Sequence, residues 1–183
     1  AFEKGEGMVL TSTEGEKYYD FLGGIAVNAL GHAHPKMVEA LRDQVGKLLH
    51  TSSLYYIENQ AKLAEKLVES TCADKAFFCN SGAEANENAL KVASFHTGKA
   101  KVLAFRKAFH GRTSGAVAAT DNPKIQAPFN ATENIVFVPL NDLEAAAAEL
   151  AKGDFAAVII EGIQGVAGIY EPTAEFINGL REL

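Results

Sequence analysis

The stretch Asn80-Ser81-Gly82-Ala83-Glu84-Ala85-Asn86-Glu87 constrains the chain more than any other. Ahead of it, Ala76-Phe77-Phe78-Cys79 is a short apolar run with the composition of a buried parallel strand. Behind it, residues 83–96 are alanine-rich and Gly98 stands where a helix would stop. The spacing therefore predicts a strand, a tight turn and a helix. Ser81 is a natural cap, and Gly82 permits close approach to the backbone. The first-turn amides of Gly82 and Ala83 lack intrahelical acceptors and lie at the positive end of the helix dipole, an arrangement suited to phosphate. Taken alone, the same residues also fit an ordinary capped start, with Glu84 completing a capping box.

The flanking chain decides between fold classes. Gly7–Thr11 and Lys17–Phe21 are strand-like runs around a polar turn with Gly15, and predict an N-terminal hairpin. Pro35 opens a helix with Val38, Leu41, Val45, Leu48 and Leu49 on one face. Residues 51–56 have no period and read as a loop. A second helix over 58–70 carries Ala61, Ala64, Leu67 and Val68 as its stripe. Beyond the turn, strands at 101–105, 135–138 and 156–160 alternate with helices, one of them capped by Asn141 and running to Lys152. Such alternation predicts an α/β fold, a mainly parallel sheet covered on both faces, with ligands at the carboxyl ends of its strands. Three motifs fall at those ends: the Ser81 turn, Phe109-His110-Gly111-Arg112-Thr113, and Glu161-Gly162-Ile163-Gln164-Gly165.

Composition excludes several function classes. With 48% hydrophobic residues in 183, a sizeable core is available, and no apolar stretch approaches a membrane span. A net charge of −6 without a Lys/Arg cluster argues against nucleic acid. Cys72 and Cys79 have neither disulfide-framework nor metal-ligand spacing, which favours two core cysteines and a reducing cytoplasm. His32 and His34 have no nearby carboxylate or cysteine at ligand spacing, so they read as helix-entry residues and no metal is expected. Gly162, Gly165 and Gly168 are spaced three apart, not in the Gly-x-Gly-x-x-Gly order of a dinucleotide turn, which disfavours an NAD-binding oxidoreductase.

Together the three motifs resemble the class III aminotransferases, fold type I enzymes that use pyridoxal 5′-phosphate. Gly24–His32 and His50–Tyr56 resemble the acetylornithine aminotransferase branch in particular. The resemblance implies a three-layer fold, incomplete here, with residues 1–52 in the small domain and substrate entrance and 53–183 in the first part of the cofactor domain. It implies that Ser81, Gly82 and Ala83 hold the cofactor phosphate, that Phe109 stacks on its ring beside His110, and that Arg112 grips a substrate carboxylate. Glu161 becomes an active-site acid, Gln164 a neighbour of the substrate, and Ile25 part of the entrance lining. Many relatives carry a proline at Gly162 and, at Val166, a glutamate that pairs with a carboxylate-binding arginine; Val166 cannot make that pair. The family's pyridine-binding aspartate and Schiff-base lysine have no match among these residues, which implies an N-terminal fragment, catalytically inert alone, of a longer cytoplasmic homodimer. The implied reaction moves the terminal amino group of N-acetylornithine, or a similar N-acyl ornithine, to 2-oxoglutarate in arginine biosynthesis. Ornithine, succinylornithine and 4-aminobutyrate transaminases, or a non-catalytic fragment, are the alternatives.

Overall fold

The computed structural model describes residues 1–183, which group into two compact units, Ala1–Ala76 and Phe77–Leu183. In the first unit, β1 (Phe2–Glu6), β2 (Val9–Ser12) and β3 (Lys17–Tyr19) form an antiparallel sheet in the order β1-β2-β3. The β2–β3 pair is the expected hairpin, with Val9 opposite Tyr19. Its turn is tied by the Ser12 hydroxyl, which accepts from the amides of Glu14 and Glu16, both at 3.2 Å. β1 was not expected, because two glutamates, a lysine and a glycine hide its period.

Asp20 ends the third strand: its Oδ1 accepts from the amides of Leu22 (3.0 Å) and Gly23 (2.8 Å). The single helical turn that follows, α1 (Gly23–Ala26), has φ of 57°, 66°, 63° and 59° at its four residues, all left-handed. Two of them are not glycine, so this turn stores backbone strain. Helices α2 (Pro35–Val45) and α3 (Glu58–Ser70) follow, α3 with the expected bounds. α2 stops at its C-cap Gly46, so Leu48 and Leu49 lie outside the face assigned to them. Ser12 is the single fully buried residue of this unit, and Leu41, Val45 and Leu67 stay exposed.

The second unit is built on a parallel sheet of β4 (Lys101–Phe105), β5 (Ile135–Val138) and β6 (Phe155–Val158), in the order β5-β4-β6. Val102 pairs with Ile135 on one side and Ala157 on the other, so β4 is central, and Val102–Phe105 are buried. Alternation along β4 separates two faces. Leu103 and Phe105 pack with Ala146 of α6 (Leu143–Leu150) and Phe176 of α7 (Ala174–Glu182), the two phenyl rings edge to face at 5.5 Å. Val102 faces the other way, lining a cavity of about 920 Å³ with Leu90 of α4 (Gly82–Thr97) and Ala118 of α5 (Ser114–Ala118). The second unit is thus α/β, with a parallel sheet and helices on both faces.

Three further local expectations fail. Residues 76–79 form no strand and Phe77 is 68% exposed, because no strand lies beside them to share their backbone hydrogen bonds. Cys72 and Cys79 are exposed free thiols rather than core residues. Asp142, not Asn141, caps α6, its Oδ1 accepting from Ala145 N at 2.9 Å. Asn141 is left-handed (φ 67°) and instead links the loop after β6, donating to Glu171 O and accepting from Thr173 N.

Candidate functional site

The site starts from the first turn of α4. Ser81 is extended (φ −153°) and its Oγ accepts from Glu84 N at 3.2 Å, the expected N-cap. The Glu84 carboxylate returns to the amide of Asn80 (2.6 Å), one residue before the position a capping box uses. The amides of Gly82 and Ala83 find no acceptor in the chain. A Cβ at Gly82 would meet nothing within 4 Å, and Gly82 is exposed.

The 109–113 loop is fastened to this helix and to the loop beyond β6. Phe109 N donates to Glu161 Oε1 (2.8 Å), His110 N to Thr120 Oγ1 (2.9 Å), and Asn86 Nδ2 to His110 O (2.7 Å). Gly111, at φ 134°, lies so close to α4 that a Cβ there would stand 2.6 Å from Ala83 Cβ. Just beyond, Glu87 Oε1 accepts from the amides of Gly115 (2.6 Å) and Ala116 (3.1 Å). The three motifs separated in sequence are therefore joined by hydrogen bonds, although only the 109–113 and 161–165 loops follow strands.

The side chains differ in environment. Phe109 is half-buried and Arg112 exposed. His110 is buried, and desolvation lowers its pKa to about 4, so the ring is neutral at pH 7. Its Nε2 is buried with no hydrogen-bond partner. Glu161 is half-buried with one oxygen committed to Phe109 N. Gln164 is 1% exposed and its amide donates to Arg106 O (3.1 Å), so its side chain clasps the end of β4. Gly162 and Val166 are exposed, as is Ile25 in the other unit.

Asn86, Glu87 and Thr120 are contributors that sequence reasoning did not single out. For the first two a signal existed: both are polar yet half-buried in an alanine-rich helix. A second correction concerns His32, whose Nε2 lies 2.7 Å from Asp20 Oδ2, a carboxylate twelve residues away that local spacing did not disclose. That bond, and then the Gly23 amide, hold the Asp20 carboxyl below its ordinary pKa.

Two unpaired amides, a half-buried aromatic, an unpartnered imidazole nitrogen and a nearby arginine fit a flat, phosphate-bearing ligand. A family model described as Aminotransferase class-III matches residues 1–183. The chain is 44% identical to an acetylornithine aminotransferase of Methanocaldococcus jannaschii, over 98% of this chain and 47% of that protein. It is 46% identical to a succinylornithine transaminase of Citrobacter koseri, over 98% of this chain and 46% of that protein. Among solved structures, an ornithine aminotransferase from Toxoplasma gondii with PLP at partial occupancy in its active site superposes with a TM-score of 0.92 at 27% identity, covering all of this chain and 45% of that one. The chain thus spans about half the length of the relatives it matches. No helix is long and apolar enough to cross a membrane.

Proposed function

Since the chain belongs to the class III aminotransferases, we propose that the whole protein is a pyridoxal-phosphate-dependent transaminase that moves the terminal amino group of N-acetylornithine, or a similar N-acyl ornithine, to 2-oxoglutarate. The observation that supports the reading is the attachment of the Phe109–Thr113 backbone to α4, the helix whose first-turn amides of Gly82 and Ala83 are unpaired. When bound, the cofactor supplies a carbonyl that takes up an amino group and an electron-poor ring that stabilises negative charge on the substrate carbon.

The chain's own residues have distinct parts in this reading. Gly82 and Ala83 amides, with Ser81, hold the phosphate, and Phe109 presents a flat apolar face to the ring. Arg112, free in solvent, offers a planar fork to a substrate carboxylate. Neutral His110 provides a nitrogen that bonds without adding charge. Glu161 fixes Phe109 through its amide and keeps a second oxygen available to the site, while Gln164 secures the loop that carries Glu161. Ile25 lines the entrance, with residues 1–52 as small domain and 53–183 as the start of the cofactor domain. We infer a cytoplasmic homodimer serving arginine biosynthesis as its setting.

The test is the whole protein incubated with pyridoxal phosphate, 2-oxoglutarate and one amino donor at a time, with glutamate formation followed. The expected result is glutamate from N-acetylornithine at a kcat/KM well above that from ornithine or 4-aminobutyrate. A larger value for succinylornithine assigns the other acyl group. No glutamate from any donor overturns the reading.

A further inference from the structure

The amino-transfer reading leaves one carboxylate at the site without a role. Glu87 lies in the second turn of α4, five residues after Gly82, about 7.5 Å further along the helix axis. Its Oε1 accepts from Gly115 N at 2.6 Å and Ala116 N at 3.1 Å, two of the first free amides of α5. Bonds from amides to an ionised carboxylate at a helix start are among the stronger ones. Gly115 is fitted to this contact, since a Cβ there would stand 2.7 Å from Glu87 Oε2. The loop between β4 and α5 is thus held at its near end by Glu161, in its middle by Asn86 and at its far end by Glu87. The last two come from the helix that carries the Gly82 and Ala83 amides.

We propose that Glu87 is a positioning residue for cofactor binding, one that locks the far end of the 109–113 loop to the phosphate-binding helix so that Phe109 and the Gly82–Ala83 amides keep a fixed separation. The inference rests on the pyridoxal phosphate reading of the site. Without Glu87, the Gly115 and Ala116 amides turn to water and the loop loses its far attachment; the cofactor must then order what was ordered beforehand, and affinity falls.

The experiment measures the dissociation constant of pyridoxal phosphate by equilibrium dialysis on the whole protein, for wild type, E87A, E87Q, G115A and E87A/G115A. The thermal midpoint of each cofactor-free form is recorded alongside. Loss of a bond to a charged group predicts affinity weakened about tenfold in E87A. E87Q, which keeps an acceptor oxygen in the same place, should recover most of it. G115A should weaken binding to a similar degree by displacing the carboxylate, and the double variant should be no weaker than the worse single one, because both changes break one contact. Should E87A fail to fold, weakened G115A beside near-normal E87Q still supports the proposal. Wild-type affinity in E87A or in G115A, no recovery in E87Q, or fully additive losses overturns it. A wild-type protein that takes up no pyridoxal phosphate overturns the reading of the site, and this inference with it.

Discussion

His110 turns acid into a probe of its own burial. Its folded pKa of about 4 lies below the ordinary 6.5, so on acidification the unfolded chain takes up this proton first. Stability from keeping the ring neutral is complete above pH 6.5 and is lost as the pH falls from 6.5 towards 4. Replacing His110 with Gln should flatten the fall in thermal midpoint across that window relative to wild type; parallel curves would mean that the ring is solvated. Two glycines make a complementary pair. Gly111→Ala meets both a strained φ of 134° and close neighbours in Ala83 Cβ at 2.6 Å and Ala83 Cα at 3.0 Å. It should cost about 3 kcal/mol in urea denaturation. Gly82→Ala meets nothing within 4 Å and should leave stability within about 0.5 kcal/mol, while the phosphate site proposed at this backbone predicts weaker pyridoxal phosphate binding.

At the scale of elements, α4 is the piece that local chemistry specifies best. Ser81 caps it and left-handed Gly98 (φ 70°) ends it. Ser81→Ala and Gly98→Ala should each lower stability by about 1 kcal/mol, read from the denaturation midpoint. Those boundaries, and both ends of α3, were legible in the sequence because caps and helical period act over a few residues. Residues 76–79 were misread for the converse reason: a strand exists only with a neighbour, and apolar composition says nothing of whether one is there. The cap of α6 went to Asp142 because its neighbour Asn141 takes a left-handed φ and spends both ends of its amide on the loop at 171–173. At the site, the 109–113 and 161–165 loops follow β4 and β6 as the strand-end argument expects, whereas the Ser81 turn follows no strand, and the fastenings of the three join residues 24, 28 and 52 positions apart, beyond any local pattern.

Over the whole molecule, apolar burial is uneven. The second unit has a core of Leu103, Phe105, Val138, Ala146, Phe155 and Phe176, whereas no hydrophobic residue of the first unit is buried. Hydrogen exchange should therefore find β4 amides protected by at least tenfold more than those of α2 and α3, whose helical bonds have little packing behind them; equal protection would show a support for those helices outside their own unit. The loop fastenings have a further consequence for chimeras made by recombining two such chains. A crossover between positions 120 and 160 leaves Asn86 with His110, Glu87 with Gly115 and His110 with Thr120, and re-pairs Phe109 with a foreign residue 161 and Arg106 with a foreign residue 164. A crossover between 88 and 108 does the reverse, splitting both attachments to α4 while sparing the third. Residues 80–120 are therefore the block that such an exchange must carry intact.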